Sequence, residues 1–330
     1  MNIRKNKINN KEYWYIDSKV FINKGKTKVK KKSLGSVEVG KPDLKKINAF
    51  ITDLIDYEIE ERTKYWENKI VDKKFVKYIS VQKLESLRSL FFRKKECGVI
   101  GSIAETALEK AFLVDFIYNS NRIEGSKIPR NSVEDVIRGN VSNKKNKLNE
   151  VINSVKAVNY VDNKFNFNKA SLIKLHSILL KHEPTNMGIR KIPIIAGNTE
   201  CLDWKKIESE LKKLFVWYND YKDKMYPPEL AFKFYYKYER IHPFKDGNGR
   251  SGRLVMNKIL KDNKYHPIIV WNSSKDAQDR AFIKEMDSRM ETFYKFMVGQ
   301  YKKTYNIYIK KIDDAIKLEE LTSFFMRPSE

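Results

Sequence analysis

A break between two amphipathic patterns, at residues 242–253, most constrains how this chain can fold. Those residues read HPFKDGNGRSGR and hold three of the chain's 13 Gly and one of its four His. Apolar residues three or four apart precede and follow the break, which predicts a buried helix over 228–241 and a second helix from Arg250. Pro243 cannot continue the first helix, so the histidine stands at a helix end beside a glycine-rich turn.

The rest of the chain predicts a mainly α protein, because the apolar spacing stays helical over most of its length. Leu44 to Trp66 is the clearest case, with apolar residues at three- and four-residue intervals. Further helices are predicted over 75–92, 103–118, 146–161, 168–181, 204–219 and 277–310.

Two segments depart from the helical pattern. Residues 12–35 alternate partly, turn at Gly25 and continue as KVKKKSLG, which predicts a small β-hairpin with a basic second strand. Residues 190–197, RKIPIIAG, are β-branched and predict a short strand or hairpin. Pro193 lacks an N–H, so this strand suits a sheet edge.

Composition limits the classes of partner. The formal charge of +24 attracts nucleic acid, nucleotides or acidic proteins, although the lysines are scattered along the whole chain. No stretch approaches the roughly 20 apolar residues that span a bilayer. The N-terminus has no apolar core like that of a secretory signal, and Cys97 and Cys201 form no CxxC pair. We therefore expect a cytoplasmic protein without membrane contact, disulfides or a thiolate metal site.

The residue types in 242–253 point to phosphate chemistry. A glycine-rich turn that opens a helix presents backbone N–H groups and the positive end of the helix dipole to an anion. Arg250 and Arg253 in the first turn oppose that dipole, which a polyphosphate would compensate. Asp246 suits Mg²⁺ held jointly with phosphates, and His242 can take a proton from a hydroxyl. The pattern predicts transfer of a phosphorus-centred group to a hydroxyl.

HPFKDGNGRSGR resembles the Fic family motif, HPFx(D/E)GNGRxxR, at every defined position. The resemblance covers roughly 100–300 and implies an α-helical bundle that transfers AMP from ATP to a Ser, Thr or Tyr hydroxyl of a target protein. It implies that His242 is the base and that Asp246 is the Mg²⁺ ligand. It further implies nucleotide binding by Gly247, Asn248, Gly249, Arg250 and Arg253. The intact GNGR favours nucleotidyl transfer over the phosphoryl transfer of the related Doc kinases.

A second stretch, YNSNRIEG, ends the predicted helix that begins at 103. Taken alone, Gly125 is a helix C-cap. Beside the first motif, the stretch resembles the Fic inhibitory signature, (S/T)xxxE(G/N), on Ser120, Glu124 and Gly125. That resemblance implies a bidentate pair between Glu124 and Arg253, which denies Arg253 to the γ-phosphate. It leaves open a reverse reaction, in which Glu124 positions water to remove AMP from a modified protein.

The resemblance also assigns a role to the short β segment. Fic proteins carry a hairpin flap that aligns the target by main-chain pairing, which makes Ile192, Pro193, Ile194 and Ile195 the candidate docking residues. A hairpin that only packs on the core remains the alternative.

We predict four regions along the chain. They are a β-hairpin appendage over 1–40, a helical region over 41–99, a Fic domain with its inhibitory helix over 100–300, and a C-terminal helix and tail over 301–330. The first hypothesis is an autoinhibited protein adenylyltransferase. The alternatives are a deAMPylase or bifunctional enzyme, and a DNA-binding regulator whose Fic core senses nucleotide. A homodimer is one arrangement that would relieve the inhibition.

Overall fold

The computed structural model describes residues 1–72, 75, 80–97, 102–140, 148–183, 188–196, 199–278 and 286–325. The chain divides into two compact units. The first comprises Met1–Lys69, Ile79–Thr106 and Tyr305–Glu330, and the second comprises Ile70–Tyr78 and Ala107–Thr304. The finer division into four regions stays a prediction.

The first unit opens with an antiparallel sheet of three strands in the order β1-β2-β3. The strands are β1 (Asn2–Ile8), β2 (Lys11–Asn23) and β3 (Lys26–Ser36). The predicted hairpin is formed by β2 and β3. The sequence analysis did not predict β1, which pairs with β2 from Asn2↔Asp17 to Ile8↔Lys11.

Helix α1 (Leu44–Glu67) covers one face of this sheet, and α2 (Val81–Cys97) packs on α1. Asp43 caps α1 by accepting a hydrogen bond from the Lys45 N–H. The small apolar core between sheet and helix contains Ile16, Val20, Ile22, Leu34, Phe50 and Leu54. Arg62 is fully buried and pairs with Glu85 at 2.5 Å, so the charges in this interior are matched.

The second unit is helical. It contains the part of α3 (Ser102–Ile123) from Ala107 onward and the part of α10 (Met286–Phe325) up to Thr304. Between them lie α4 (Arg130–Arg138), α5 (Asn149–Lys164), α6 (Lys169–Leu179), α7 (Ile207–Tyr221), α8 (Pro227–Ile241) and α9 (Asn248–Asp262). The expectation of a mainly α protein is confirmed.

Helices α8 and α9 form the centre of this unit and carry residues 242–253 between them. Pro227 stands at the first helical position of α8, where its missing N–H costs no hydrogen bond. A Cβ at Gly252 would come within 2.8 Å of Tyr235 and Tyr238, so this glycine permits close packing of the two helices. Tyr238 and Ser251 then share a hydrogen bond of 2.7 Å across the contact.

The second β segment is shorter than the sequence pattern suggests. Strand β4 (Ile195–Ala196) pairs antiparallel with β5 (Thr199–Glu200) as a minimal hairpin. Pro193 precedes the strand, so its missing N–H removes no bond from this ladder. Gly197, at the turn of the predicted hairpin, lies outside the described residues. Within the described ranges, every helix falls short of the length and apolar character that a bilayer crossing demands.

Candidate active site

His242 stands at the C-terminal end of α8 in the left-handed conformation, with φ of 47°. Its backbone N–H donates to the Tyr238 carbonyl at 3.0 Å and closes the last turn. Left-handed backbone is costly for an ordinary residue, so the surrounding contacts hold it there. The chain reverses at this point, and the imidazole is thereby presented beside the following turn.

The environment of His242 keeps its imidazole neutral. Burial lowers the pKa of His242 below its usual value, while a hydrogen bond to the backbone of Glu239 and the charge of Glu124 act in the opposite direction. The Glu239 carboxyl lies 3.7 Å from Nδ1. A neutral imidazole whose Nδ1 side is engaged has Nε2 available to accept a proton.

The turn after His242 is anchored by Phe244 and Asn248. The Phe244 N–H donates to Asn248 Oδ1 at 2.9 Å, and Asn248 Nδ2 donates back to the Phe244 carbonyl at 2.8 Å. Buried His176 stacks on the Phe244 ring and donates from Nε2 to the Asp246 carbonyl at 2.9 Å. Asn248 and His176 therefore act here as structural residues that shape the turn.

Two glycines leave room at the start of α9. Gly247 has φ of 79°, and a Cβ there would meet the Leu180 side chain at 2.9 Å. A Cβ at Gly249 would collide with Glu124 Oε1 and approach Arg253 Nη1 at 2.9 Å. The Glu124 carboxylate therefore lies directly against the first turn of α9, where free backbone N–H groups and the helix dipole favour an anion.

Arg250 is buried between two carboxylates. Its Nη2 donates to Asp246 Oδ2 at 2.9 Å, and its Nη1 donates to Glu150 Oε1 at 3.2 Å. The Asp246 carboxylate also accepts from the Gly247 N–H at 2.5 Å and remains about one-third exposed. Asp246 thus offers a partly solvated carboxylate at the edge of the turn.

Arg253 is fully buried and meets the residues of the 120–125 stretch. Its Nε donates to Ser120 Oγ at 3.0 Å, and its Nη2 donates to the Ser120 carbonyl at 2.9 Å and to Glu124 Oε1 at 2.8 Å. Within the part of the chain that the structure describes, the Glu124 carboxylate accepts one hydrogen bond from Arg253, so the pair is not bidentate as the sequence had suggested. The second Arg253 Nη is turned towards the Tyr235 hydroxyl, at 3.4 Å.

Gly125 caps the C-terminal end of α3, as the stretch YNSNRIEG predicts when it is taken alone. Its φ is 95°, its N–H donates to the Arg122 carbonyl, and the Ser126 N–H donates to the Asn121 carbonyl. These two bonds define a Schellman cap. The cap fixes where the chain leaves the helix and so directs Glu124 towards α9. Ser126 then donates to Glu150 Oε2 at 2.7 Å.

Arg190 connects the β4–β5 segment to the histidine. It is buried, and its Nε donates to the His242 carbonyl at 2.8 Å while its backbone N–H donates to the Pro243 carbonyl at 3.0 Å. Its Nη1 donates to the Ile192 carbonyl at 2.9 Å. Ile192 and Ile195 are 48% and 72% exposed, so the segment is fixed at its base and open at its outer side.

The sequence analysis missed three residues of this site. Glu150, Arg190 and Glu239 each contact a predicted site residue, yet none lies within a recognisable motif. A signal existed only for Glu239, which stands one helical turn before His242. Glu150 contacts Arg250, which is 100 residues away along the chain, and Arg190 contacts His242, which is 52 residues away.

Two buried glutamates give the second unit a distinct pH dependence. Burial raises the pKa of Glu239 to about 8, with the Glu124 charge adding to the effect, and burial raises that of Glu229 to about 7. Each carboxyl keeps its proton in the folded protein at pH values where the unfolded chain has lost it. Their contribution to stability is complete below the ordinary glutamate pKa and is lost as the pH rises through about 7 to 8.

We therefore expect the unfolding free energy to fall by about 2 kcal/mol or more between about pH 6 and pH 9. Glu239→Gln should remove part of that slope, because glutamine does not titrate. Urea unfolding of both proteins at the two pH values measures the effect. Equal slopes for the wild type and Glu239→Gln would contradict the raised pKa.

The helical fold and this site together define a class: mainly α proteins that present a histidine beside a glycine-led turn with two buried arginines. A model of the Fic/DOC family matches residues 166–260, which include the whole of 242–253. "Protein adenylyltransferase Fic" from Drosophila willistoni is 25% identical over 208 residues, 60% of this chain and 42% of the relative. The protein of the same name from Culex quinquefasciatus is 24% identical over 212 residues, 61% of this chain and 42% of the relative.

Solved structures share the fold. A Fic domain-containing signalling protein from Bacteroides thetaiotaomicron superposes with a TM-score of 0.57 at 18% identity, covering 70% of this chain and 95% of that one. Fic-1 from C. elegans gives 0.59 at 18% identity, covering 78% and 77%. Residues 166–260 therefore match the Fic/DOC family model, as the motif predicted, and the chain shares the fold of these solved Fic proteins. It spans less than half the length of the curated relatives above.

Proposed function

We propose that this chain is a protein adenylyltransferase that transfers AMP from ATP to a hydroxyl of a target protein and is restrained by Glu124. The observation that carries the proposal is the assembly of the site on one helix start. His242, the partly solvated Asp246 carboxylate and the glycine-led first turn of α9 lie within a few residues, with Arg250 and Arg253 behind them.

The groups of the site divide the reaction between them. Mg²⁺ bound to ATP would be held on the protein side by the Asp246 carboxylate and would offset the negative charge of the phosphates. The backbone N–H groups of Gly247 to Gly249 receive the α- and β-phosphates at the helix N-terminus. Arg250 supports this charge, and Arg253 receives the γ-phosphate once Glu124 has left it.

In the transfer step, the target hydroxyl loses its proton to Nε2 of His242. The hydroxyl oxygen forms a bond to the α-phosphorus, and the bond from that phosphorus to the oxygen bridging to the β-phosphate breaks. Pyrophosphate leaves, and the target carries AMP. The lowered pKa of His242 supports its role as the base, because the imidazole is unprotonated near neutral pH.

Glu124 supplies the restraint in this proposal. Its carboxylate fills the space over Gly249 and bonds Arg253 at 2.8 Å, so an anion at the γ-phosphate position would face both steric conflict and like charge. ATP can then bind only with its phosphates displaced from the line of attack. Ser120 holds the same arginine through its side chain and its carbonyl, which keeps Arg253 in place after Glu124 moves.

The segment around β4 is the proposed docking site for the target. Arg190 fixes it to the backbone of His242, and the Ile192 and Ile195 side chains face outward. The Ile194 carbonyl already accepts from the Cys201 N–H, so a target segment would pair with the backbone of Ile195 on the other edge of β4. Pro193 has no backbone N–H, so at this residue only the carbonyl can form a hydrogen bond with the target backbone.

One observation favours the reverse activity as a second candidate. Only Oε1 of Glu124 bonds Arg253, and among the described residues Oε2 has no hydrogen-bond partner. That oxygen could hold a water molecule. Water would attack the α-phosphorus of an AMP-modified protein, the bond to the protein oxygen would break, and His242 would return the proton to that oxygen. AMP release from a pre-modified protein, lost in Glu124→Gly, would identify this activity.

The test of the proposed function compares ATP labelled on the α-phosphate with ATP labelled on the γ-phosphate. Glu124→Gly is incubated with each nucleotide and a protein lysate. Label on protein from the α-position alone is the expected result. Label from the γ-position alone would show phosphoryl transfer and contradict the proposal. Folding and ATP binding, measured by calorimetry, show that the protein tested is competent.

A further inference from the structure

We propose that the outer face of the N-terminal sheet binds duplex DNA, as a function separate from AMP transfer. The inner face of the sheet is occupied, since Ile16, Val20 and Ile22 pack against α1. Strand alternation places the neighbouring residues of β2 on the opposite face. The outer face includes these residues of the three strands: Asn2, Arg4, Asn6, Tyr15, Asp17, Lys19 and Lys31.

The sheet is more basic than the rest of the chain. Residues 1–36 contain 11 Lys and Arg but only two acidic residues, whereas the whole chain has 66 basic and 42 acidic residues. A general excess of lysine would raise the number of basic residues in this segment and in the whole chain alike. It does not explain why residues 1–36 have so few acidic residues. The first 36 residues thus carry a local positive charge that a polyanion would neutralise.

The lysines of β3 divide between the two faces. On the inner side, Lys28 pairs with Glu61, Lys32 pairs with Asp53 at 2.7 Å, and Lys30 lies over the Tyr57 ring. These cations are neutralised or covered by α1. Lys31, on the outer side, faces the Tyr15 ring at 4.3 Å, and no acidic group contacts it among the described residues. Of these lysines of β3, Lys31 on the outer face is therefore the one whose charge remains available to an anionic partner.

Asp17 is the acidic residue on the outer face, and it is already paired. Arg4 Nη2 lies 2.6 Å from Asp17 Oδ2, and Asn2 donates to Asp17 Oδ1 at 3.3 Å. The aspartate is nearly buried, whereas the Arg4 side chain is 57% exposed. Asp17 therefore positions the arginine and the asparagine on the face without presenting its own charge to a partner.

The shape and residue types of this face favour duplex DNA over other polyanions. Strands spaced about 4.8 Å apart make a three-stranded sheet roughly 10 Å wide, which matches the major groove of B-DNA at about 12 Å. Arginine and asparagine suit base edges, and lysine and tyrosine suit phosphates. The major groove of A-form RNA is too narrow to admit a sheet. Binding to an anionic membrane would require only positive charge and would not account for the arginine and asparagine on this face.

The test measures binding of the full chain to a mixed-sequence DNA duplex by fluorescence anisotropy between about 50 mM and 200 mM salt. We expect a plot of log K against log salt with a slope of about −4, from four to five phosphate contacts. The sheet variant Lys19→Glu/Lys31→Glu should weaken binding at least tenfold and reduce the slope by about 2 units. Arg4→Ala should weaken binding by about tenfold.

The control variant, Lys45→Glu/Lys64→Glu, makes the same charge change on exposed positions of α1. It should keep the wild-type slope, because α1 lies behind the inner face. Equal losses in both variants would mean that net charge alone binds DNA and would overturn the proposal. No duplex binding at the lowest salt would overturn it, and so would equal or tighter binding to an RNA duplex or to phosphatidylserine vesicles. His242→Asn should bind DNA as the wild type does, which separates this result from the proposed transfer.

Discussion

Glu124→Gly is expected to raise AMP transfer by about tenfold to a hundredfold, because it frees the arginine that should bind the γ-phosphate. A charge-assisted hydrogen bond is worth about 1.5–3 kcal/mol, and each 1.4 kcal/mol corresponds to a factor of ten. The substitution lies just after the end of α3, where glycine does not interrupt helical hydrogen bonds. Label from the α-phosphate on protein, measured against time, gives the rate.

Two further variants show whether the gain arises from the loss of this one charge. Glu124→Gln keeps the shape and one hydrogen bond, so an intermediate rate is expected. Glu134→Gln removes an acidic residue that pairs with Arg130 and Arg138 on α4, away from the site, and should leave the rate unchanged. A Glu124→Gly rate equal to that of the wild type would contradict the restraint.

Replacement of His242 is expected to reduce the activity of Glu124→Gly by about a hundredfold to ten-thousandfold, the usual contribution of a general base. His242 has a positive φ, so an alanine there would also strain the turn. Asparagine tolerates this backbone conformation but cannot accept the proton. His242→Asn is therefore the sharper variant, with His242→Ala beside it.

The rate of AMP transfer by Glu124→Gly should depend weakly on pH near neutrality. Burial holds the pKa of His242 below its usual value, so the acid limb of the rate profile should lie below about pH 6.5. ATP affinity in His242→Asn should equal that of the parent, since the histidine binds no phosphate. A His242→Asn protein that retains full transfer would show that another group removes the proton.

The parts of the site that could be predicted from the sequence are those whose interacting residues lie close together along the chain. The residues of 242–253 could be predicted because proline, glycine and the flanking apolar patterns act within a few residues of each other. Even there, α9 begins at Asn248 rather than at Arg250. The asparagine side chain bonds the Phe244 backbone and so starts the helix two residues earlier.

Two elements that the sequence did not predict, β1 and α4, have weak local patterns. Strand β1 holds Ile3 and Ile8 five residues apart, so its apolar residues do not alternate as a strand pattern requires. Helix α4 has nine residues, and its apolar Val133, Val136 and Ile137 have helical spacing over little more than one turn, which is too short a pattern to identify a helix by itself. Both elements form because neighbouring strands and helices supply hydrogen bonds and contacts that no local pattern records.

The contacts around the arginines are long-range and lie beyond any local prediction. Arg253 meets Ser120 from 133 residues away, and Arg250 meets Glu150 from 100 residues away. The resemblance to the Fic inhibitory signature named Ser120 and paired Arg253 with Glu124, whereas no motif pointed to Glu150. A single hydrogen bond in place of a bidentate one also leaves Glu124 Oε2 available, which matters for the reverse reaction.

The central claim is that Glu124 acts through Arg253, and a comparison of four proteins tests it most directly. The label transferred from α-labelled ATP is measured for the wild type, Glu124→Gly, Arg253→Lys and the double variant, with thermal unfolding as the check on folding. We expect the gain from Glu124→Gly to disappear when Arg253 is replaced, since no arginine is left to release. A gain of the same size in the Arg253→Lys background would contradict it.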